Sequence, residues 1–185
     1  MMRIISGTKR GKKLLSLEGD NTRPTLERVK QAFFSAIQFE IAGKTVLDLF
    51  AGSGQLGLEA LSRGADFCYF NDMSKDACEI INKNIIACDF LKMSQLTCKS
   101  YIDCVRIIKS RNKKISLVFL DPPYSNGFIN SSLALLHDEG IVENGAIVVC
   151  ESADTDDVCH DAYSLRKEYR YSGIKISILT YEGEK

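Results

Sequence analysis

A chain of 185 residues, 45% hydrophobic and 26% charged, has the material for one α/β domain with a buried core and a small appendage. Its 24 basic and 24 acidic side chains cancel, which excludes a bulk polyelectrolyte binder, and no apolar run approaches the roughly 20 residues that span a bilayer. The opening Met-Met-Arg-Ile-Ile-Ser-Gly has no signal-peptide core behind it, so the expected location is the cytoplasm.

Residues 1–21 read as a basic β-rich arm, with Arg3-Ile4-Ile5 and Lys13-Leu14-Leu15 flanking a turn region from Gly7 to Gly11. Within residues 1–30, Arg3, Lys9, Arg10, Lys12, Lys13, Arg23, Arg28 and Lys30 face only Glu18, Asp20 and Glu27, a local excess of +5. A helix starts near Pro24-Thr25, where proline suits the first turn, and Leu26, Val29, Phe33 and Ile37 follow its spacing. Gly43 ends the connection, so residues 1–42 read as an extension and 43–185 as the main domain.

From Lys44 onward strand and helix alternate. Strands are expected at Val46–Phe50, Phe67–Phe70, Leu96–Cys98, Ile115–Leu120 and Ala146–Cys150. Helices are expected at Leu56–Leu61, from an N-cap at Ser74 through Ala87, after the capping-box pattern Ser100-x-x-Asp103, and at Phe128–Glu139. In the second of these Ala77, Ile80, Ile81, Ile85 and Cys88 share one face. Near-continuous apolar strands alternating with helices mean a parallel sheet covered on both sides. Glu151, Asp154, Asp156, Asp157 and Asp161 then form a stretch with no lysine or arginine. With the basic arm, this asymmetry suggests one face that meets phosphate and another that avoids it. Leu165–Tyr171 and Ile174–Tyr181, joined at Ser172-Gly173, read as a β-hairpin, with Ile174, Ile176 and Ile178 alternating with Lys175 and Ser177. The seven cysteines form no Cys-x-x-Cys, and neither His137 nor His160 completes a ligand spacing, so they read as reduced thiols and no metal is expected.

Two strings carry chemistry. Asp48-Leu49-Phe50-Ala51-Gly52-Ser53-Gly54 follows the first strand, and Gly52 through Gly57 formally satisfies G-x-G-x-x-G. Such a loop turns a strand sharply into a helix and lets backbone approach a ligand, and it also describes dinucleotide binding. Asp72, at the end of the second strand, can accept hydrogen bonds from both hydroxyls of a ribose, which NAD and S-adenosylmethionine share. Asp48 favours the methyl donor, because an acid there suits a cationic, amino-acid-bearing ligand better than a pyrophosphate. Asp121-Pro122-Pro123-Tyr124 ends the most apolar strand. Two prolines remove N–H donors and stiffen the backbone. The Asp121 side chain and the Pro122 carbonyl can then accept both hydrogens of an exocyclic amine, while Tyr124 stacks on the base. Two acceptors raise electron density at that nitrogen and align its lone pair with a sulfonium methyl. A carboxylate at 121 is also favourable beside the sulfonium and can help the proton leave.

With these residues in place the chain resembles the RsmD-type methyltransferases, which use S-adenosylmethionine to methylate guanine N2 in 16S ribosomal RNA. The resemblance runs through Arg3-Ile-Ile-Ser-Gly-Thr-Lys-Arg-Gly-Lys-Lys-Leu14, Thr22-Arg-Pro-Thr-Leu-Glu-Arg-Val29, Leu47-Asp-Leu-Phe-Ala-Gly-Ser-Gly54 and Leu120-Asp-Pro-Pro-Tyr124. The last two strings indicate only the class, and the first two point to this family. The resemblance implies a Rossmann-like α/β methyltransferase fold, a mostly parallel seven-stranded sheet with an antiparallel C-terminal strand, plus the small N-terminal extension. It implies a substrate of assembled or assembling small ribosomal subunit, and a monomer is the default. The candidate catalytic residues are then Asp121, Pro122 and Tyr124. The candidate cofactor residues are Asp48, Phe50, Gly52, Ser53, Gly54, Asp72 and Ser100. RNA contacts are expected at Arg3, Lys9, Arg10, Lys12, Arg23, Thr25 and Arg28.

Two places depart from the family pattern. Asn71-Asp72 stands where a glutamate is common, and Lys99-Ser100-Tyr101 stands where an acid often contacts the adenine, so somewhat weaker cofactor affinity is expected. Competing readings are methylation of adenine N6 or of a protein glutamine, which share the D/N-P-P-Y site, and a non-catalytic ribosome-assembly RNA-binding protein with a relict pocket.

Overall fold

The computed structural model describes residues 2–17, 24–123 and 127–183, the side chains of 24–27 apart. Arg23 and Tyr124, and the side chains of Thr25 and Leu26, therefore lie outside the described residues. Seven strands form one sheet: β1 (Thr45–Asp48), β2 (Phe67–Asp72), β3 (Ser94–Cys98), β4 (Ile115–Leu120), β5 (Val142–Ala153), β6 (Tyr163–Tyr171) and β7 (Ile174–Tyr181). Their order is β3-β2-β1-β4-β5-β7-β6. The first five run parallel, and β7 is antiparallel to both its neighbours. Five α-helices connect or precede them: α1 (Pro24–Ala36), α2 (Gln55–Ser62), α3 (Lys75–Ala87), α4 (Tyr101–Ser110) and α5 (Phe128–Asp138). None of the described helices is long and apolar enough to cross a membrane.

Strand order reverses between β1 and β4, so the crevice for a ligand lies beyond their carboxyl ends. Both sequence strings emerge there. All six residues of β4 are buried, and all but Ser116 are apolar. Alternation along the strands divides the core. One face packs Val46, Leu117, Phe119 and Val149 against α1, α2 and α3. The other packs Leu47, Val118, Leu120 and Val148 against α4 and α5.

The hairpin forms where expected, with Ser172 and Gly173 both at positive φ (47° and 85°), as a two-residue turn requires. Its second strand, β7, is inserted between β5 and β6, and its Lys175 and Ser177 are buried, with the Lys175 ammonium donating to the Asp156 carbonyl. One sheet edge is β6, where Arg166 and Lys167 are exposed and discourage further pairing. The helix α3 also buries Cys78 and Asn84, with Ile80 only half-buried. Asn84 has a polar reason to be inside: its amide nitrogen donates to the Leu15 and Ser53 carbonyls, and its oxygen accepts the Leu15 N–H.

The arm is closed by one antiparallel bridge, Arg3 to Lys13, rather than by extended strands. Met2, Ile4 and Leu14 enter the same core as α1, so residues 2–17 are packed into the main domain. Buried Glu59 of α2 holds them there, accepting the N–H groups of Ile5 (2.7 Å) and Ser6 (3.0 Å) and pairing with Arg63 at 2.7 Å. All seven cysteines are free, and Cys68, Cys78, Cys88, Cys104 and Cys150 are buried as small hydrophobic groups.

Candidate active site

At the end of β1 the chain turns through Leu49–Gly54. Leu49 N–H donates to the Phe119 carbonyl of β4, and Ala51 N–H to the Asn71 carbonyl of β2, so the loop is anchored on both sides. Gly52 (φ +55°) and Gly54 (φ +79°) are both left-handed. Only Gly52 borders open space: a Cβ there meets nothing within 4 Å. At Gly54 a Cβ would come into ordinary contact with Ile81, Leu58 and Phe70, whereas at Gly57 it would lie 2.3 Å from the Phe70 ring. Gly57 therefore lets α2 pack on β2, and Gly52 leaves room for a ligand to approach.

Two carboxylates frame this loop. Asp72 accepts the Gly52 N–H (2.9 Å) on one oxygen and the Ser74 N–H (2.9 Å) on the other, which orients it at the rim of the crevice. Asp48 is 1% exposed and accepts the Gly57 N–H at 2.9 Å. Burial raises its pKa to about 7 against the opposing effects of the Gly57 N–H and of Lys30, with Asp72 raising it further. Lys30 is held nearby by its 2.7 Å bond to Gln55. A carboxylate so poorly solvated is relieved by a cation, which fits the cationic sulfonium and ammonium of S-adenosylmethionine. Asn71, in line with Asp72, ties the ends of β1 and β3 together by donating to the Leu49 and Lys99 carbonyls.

The sign of the Asp48 effect is testable. Its folded pKa lies above its unfolded value, so the unfolded state binds fewer protons between about pH 4 and 7, and stability conferred by the protonated form is lost as pH rises. Asp48→Asn is expected to stabilise the ligand-free protein by about 2–3 kcal/mol more at pH 8 than at pH 5, read from urea unfolding at the two pH values. An equal effect at both would remove the raised pKa.

Asp121 and Pro122 leave β4 beside this loop, Asp121 half-buried and Pro122 buried. Phe119 pairs with Asp48 on one side, and Leu120 pairs with Cys150 on the other. Asp121 directly follows β4, whose Phe119 packs against the stacked Phe33 and Phe34 of α1. A cleft of about 250 Å³ opens next to Pro122 and Pro123, lined also by Phe128, Asn130 and Glu151. Half-buried Phe50, Tyr101 and Phe128 meet with ring centroids 5.7–6.3 Å apart, joining the glycine loop, the start of α4 and the start of α5. Tyr101, Phe128 and Glu151 carry no motif of their own. Met73, 78% exposed directly after Asp72, is likewise silent in the sequence.

Other candidates are placed elsewhere. Ser53 is buried and its hydroxyl donates to Met2 Sδ, so only its backbone can serve a ligand. Ser100 caps α4, its hydroxyl accepting the Asp103 N–H and donating to the Asp103 carboxylate at 2.8 Å. Lys9, Arg10 and Lys12 sit at the arm tip, which docks on Ser62 at the far end of α2. That is about 12 Å along the helix axis from the glycine loop. There Lys9 lies over the Phe90 ring, while Arg10 and Lys12 are exposed. Arg3 is exposed midway along the arm. The helix α1 runs from Lys30 beside Gln55 to Phe34 beneath Arg63, which places exposed Arg28 on the site side.

The family model described as conserved hypothetical protein 95 matches residues 2–180. Among curated proteins, YlbH of Bacillus subtilis, a candidate rRNA methyltransferase by name, is 34% identical over 95% of this chain and 97% of its own. Ribosomal RNA small subunit methyltransferase D of Escherichia coli is 32% identical over 82% of this chain and 74% of its own. Among solved structures, yhhF from Escherichia coli, described as a candidate methyltransferase, superimposes with a TM-score of 0.85 at 28% identity over 99% of each chain.

Proposed function

Because this chain belongs to the conserved hypothetical protein 95 family, the RsmD family of methyltransferases, we propose that it methylates the exocyclic N2 of a guanine in 16S ribosomal RNA within the small subunit. The observation that carries this reading is the pairing of β1 with β4, which sets Asp121 and Pro122 next to the loop held by Asp48 and Asp72. Bound S-adenosylmethionine supplies an electrophilic methyl group. Gly52 would admit it by its bare Cα, Asp72 would receive its ribose hydroxyls, and Asp48 would balance its positive charge. The Asp121 carboxylate and the Pro122 carbonyl accept the two N2 hydrogens. They hold the amine with its lone pair free to attack, and Asp121 draws off the proton as the nitrogen becomes cationic. The test is transfer of labelled methyl from S-adenosylmethionine to small subunits, large subunits and deproteinised 16S RNA in parallel. Label confined to small subunits supports the reading. Label confined to large subunits, or no transfer despite cofactor binding, overturns it.

RNA contact by the arm has a structural consequence. With its tip at the far end of α2, the arm meets substrate remote from the reacting base. Neutralising Arg10 and Lys12 is expected to raise KM about 10-fold, to leave kcat within twofold, and to flatten the salt dependence of binding by close to two counterions. Steady-state kinetics at 50 and 200 mM salt check this. A fall in kcat with an unchanged salt slope would remove the arm from the RNA contact.

A further inference from the structure

We infer that Glu151 reads the N1–H of the target guanine and so makes the site selective for guanine over adenine, an inference that rests on the function proposed above. The β4–β5 register ends by pairing Leu120 with Cys150, so Asp121, which directly follows β4, and Glu151 of β5 are the next residues at the same end of the sheet. Alternation along β5 puts Glu151 on the face of Val149. Glu151 is half-buried and lines the cleft that opens at Pro122 and Pro123. At about 250 Å³ the cleft is smaller than the roughly 300–1,000 Å³ of drug-sized sites, which suits one planar base rather than a nucleoside cofactor.

Two further acids line the cleft: Asp156 accepts the Ala153 N–H, and Asp157 accepts the Cys159 thiol on its carboxylate and the Asn130 amide on its carbonyl. Glu151 stands on β5, beside the chain that leaves β4 at Asp121.

The chemistry follows from the base edge. Guanine presents N1–H directly beside its N2 amine, so its edge offers donors only at these two positions. A carboxylate from β4 on the amine and a second from β5 on N1–H match that row of donors. Adenine presents an acceptor at N1 beside its amine, and a carboxylate set against that lone pair is repelled and loses its partner. Accepting N1–H also pushes electron density into the ring toward N2, in the same direction as the acceptors on the amine.

The test compares wild type and Glu151→Gln on small subunits purified from cells lacking this enzyme, and on subunits reconstituted with 2-aminopurine at the modified position. 2-Aminopurine keeps the 2-amino group but carries an acceptor at N1. Wild type is expected to methylate the guanine substrate about 10- to 100-fold more efficiently than the 2-aminopurine one. Glu151→Gln is expected to lose about 10- to 100-fold on guanine, to bind S-adenosylmethionine within twofold of wild type, and to lose or invert the preference, because its amide can donate to N1. A variant with wild-type activity on guanine, or one with reduced activity but unchanged preference, overturns the assignment. A wild type that makes no N2-methylguanosine overturns the functional reading and this inference with it.

Discussion

Asp121→Ala is expected to lower kcat by about 10³-fold or more while changing the affinity for S-adenosylmethionine less than twofold. The residue directly follows the carboxyl end of β4, whereas the cofactor loop is held by Asp48 of β1 and Asp72 of β2. Its removal deletes the acceptor that orients the amine and receives its proton, but touches none of the hydrogen bonds of the glycine loop. Asp121→Asn separates the two jobs, since an amide oxygen still accepts a hydrogen bond but is a far weaker base. It is expected to retain more activity than the alanine variant. Stopped single-turnover methyl transfer, alongside calorimetric cofactor binding, checks both. Equal loss of binding and turnover would move Asp121 into the cofactor site.

The second large effect separates the glycines. Gly52→Leu is expected to weaken S-adenosylmethionine binding at least about 100-fold, because its side chain grows into the one open direction in the loop, where a Cβ meets nothing within 4 Å. The left-handed φ of +55° adds a folding cost of about 1–2 kcal/mol, which the domain survives. Gly57→Leu is expected not to fold, since even its Cβ lies 2.3 Å from Phe70 and 2.6 Å from the Cys68 sulfur. Thermal unfolding and cofactor titration of the two variants should therefore fail in opposite ways. Intact cofactor binding in folded Gly52→Leu would contradict the placement of the ligand.

Much of this arrangement was legible because it is local. The strand β4 is apolar but for Ser116, Ser74 and Ser100 cap their helices, and Ser172-Gly173 turns the hairpin, each set by residues a few positions apart. Asp48 and Asp121 could be placed together because parallel strands deliver their carboxyl ends to one edge. What escaped depends on partners distant in sequence. Alternation of Ile174, Ile176 and Ile178 with Lys175 and Ser177 marked the hairpin, but not that β7 would lie between β5 and β6 with Lys175 and Ser177 buried. Ser53 and Gly54 belong to a ligand-binding string, yet one turns to Met2 and the other to Ile81, contacts made only once the arm and α3 have packed. Tyr101, Phe128 and Glu151 reach the crevice by helix and strand placement alone.

The most direct measurement is nucleoside mass spectrometry of 16S RNA from small subunits that lack the modification, after incubation with this protein and S-adenosylmethionine. N2-methylguanosine, absent with Asp121→Ala, is the predicted result. N6-methyladenosine in its place, or no methylated nucleoside from a protein that binds the cofactor, would contradict the account.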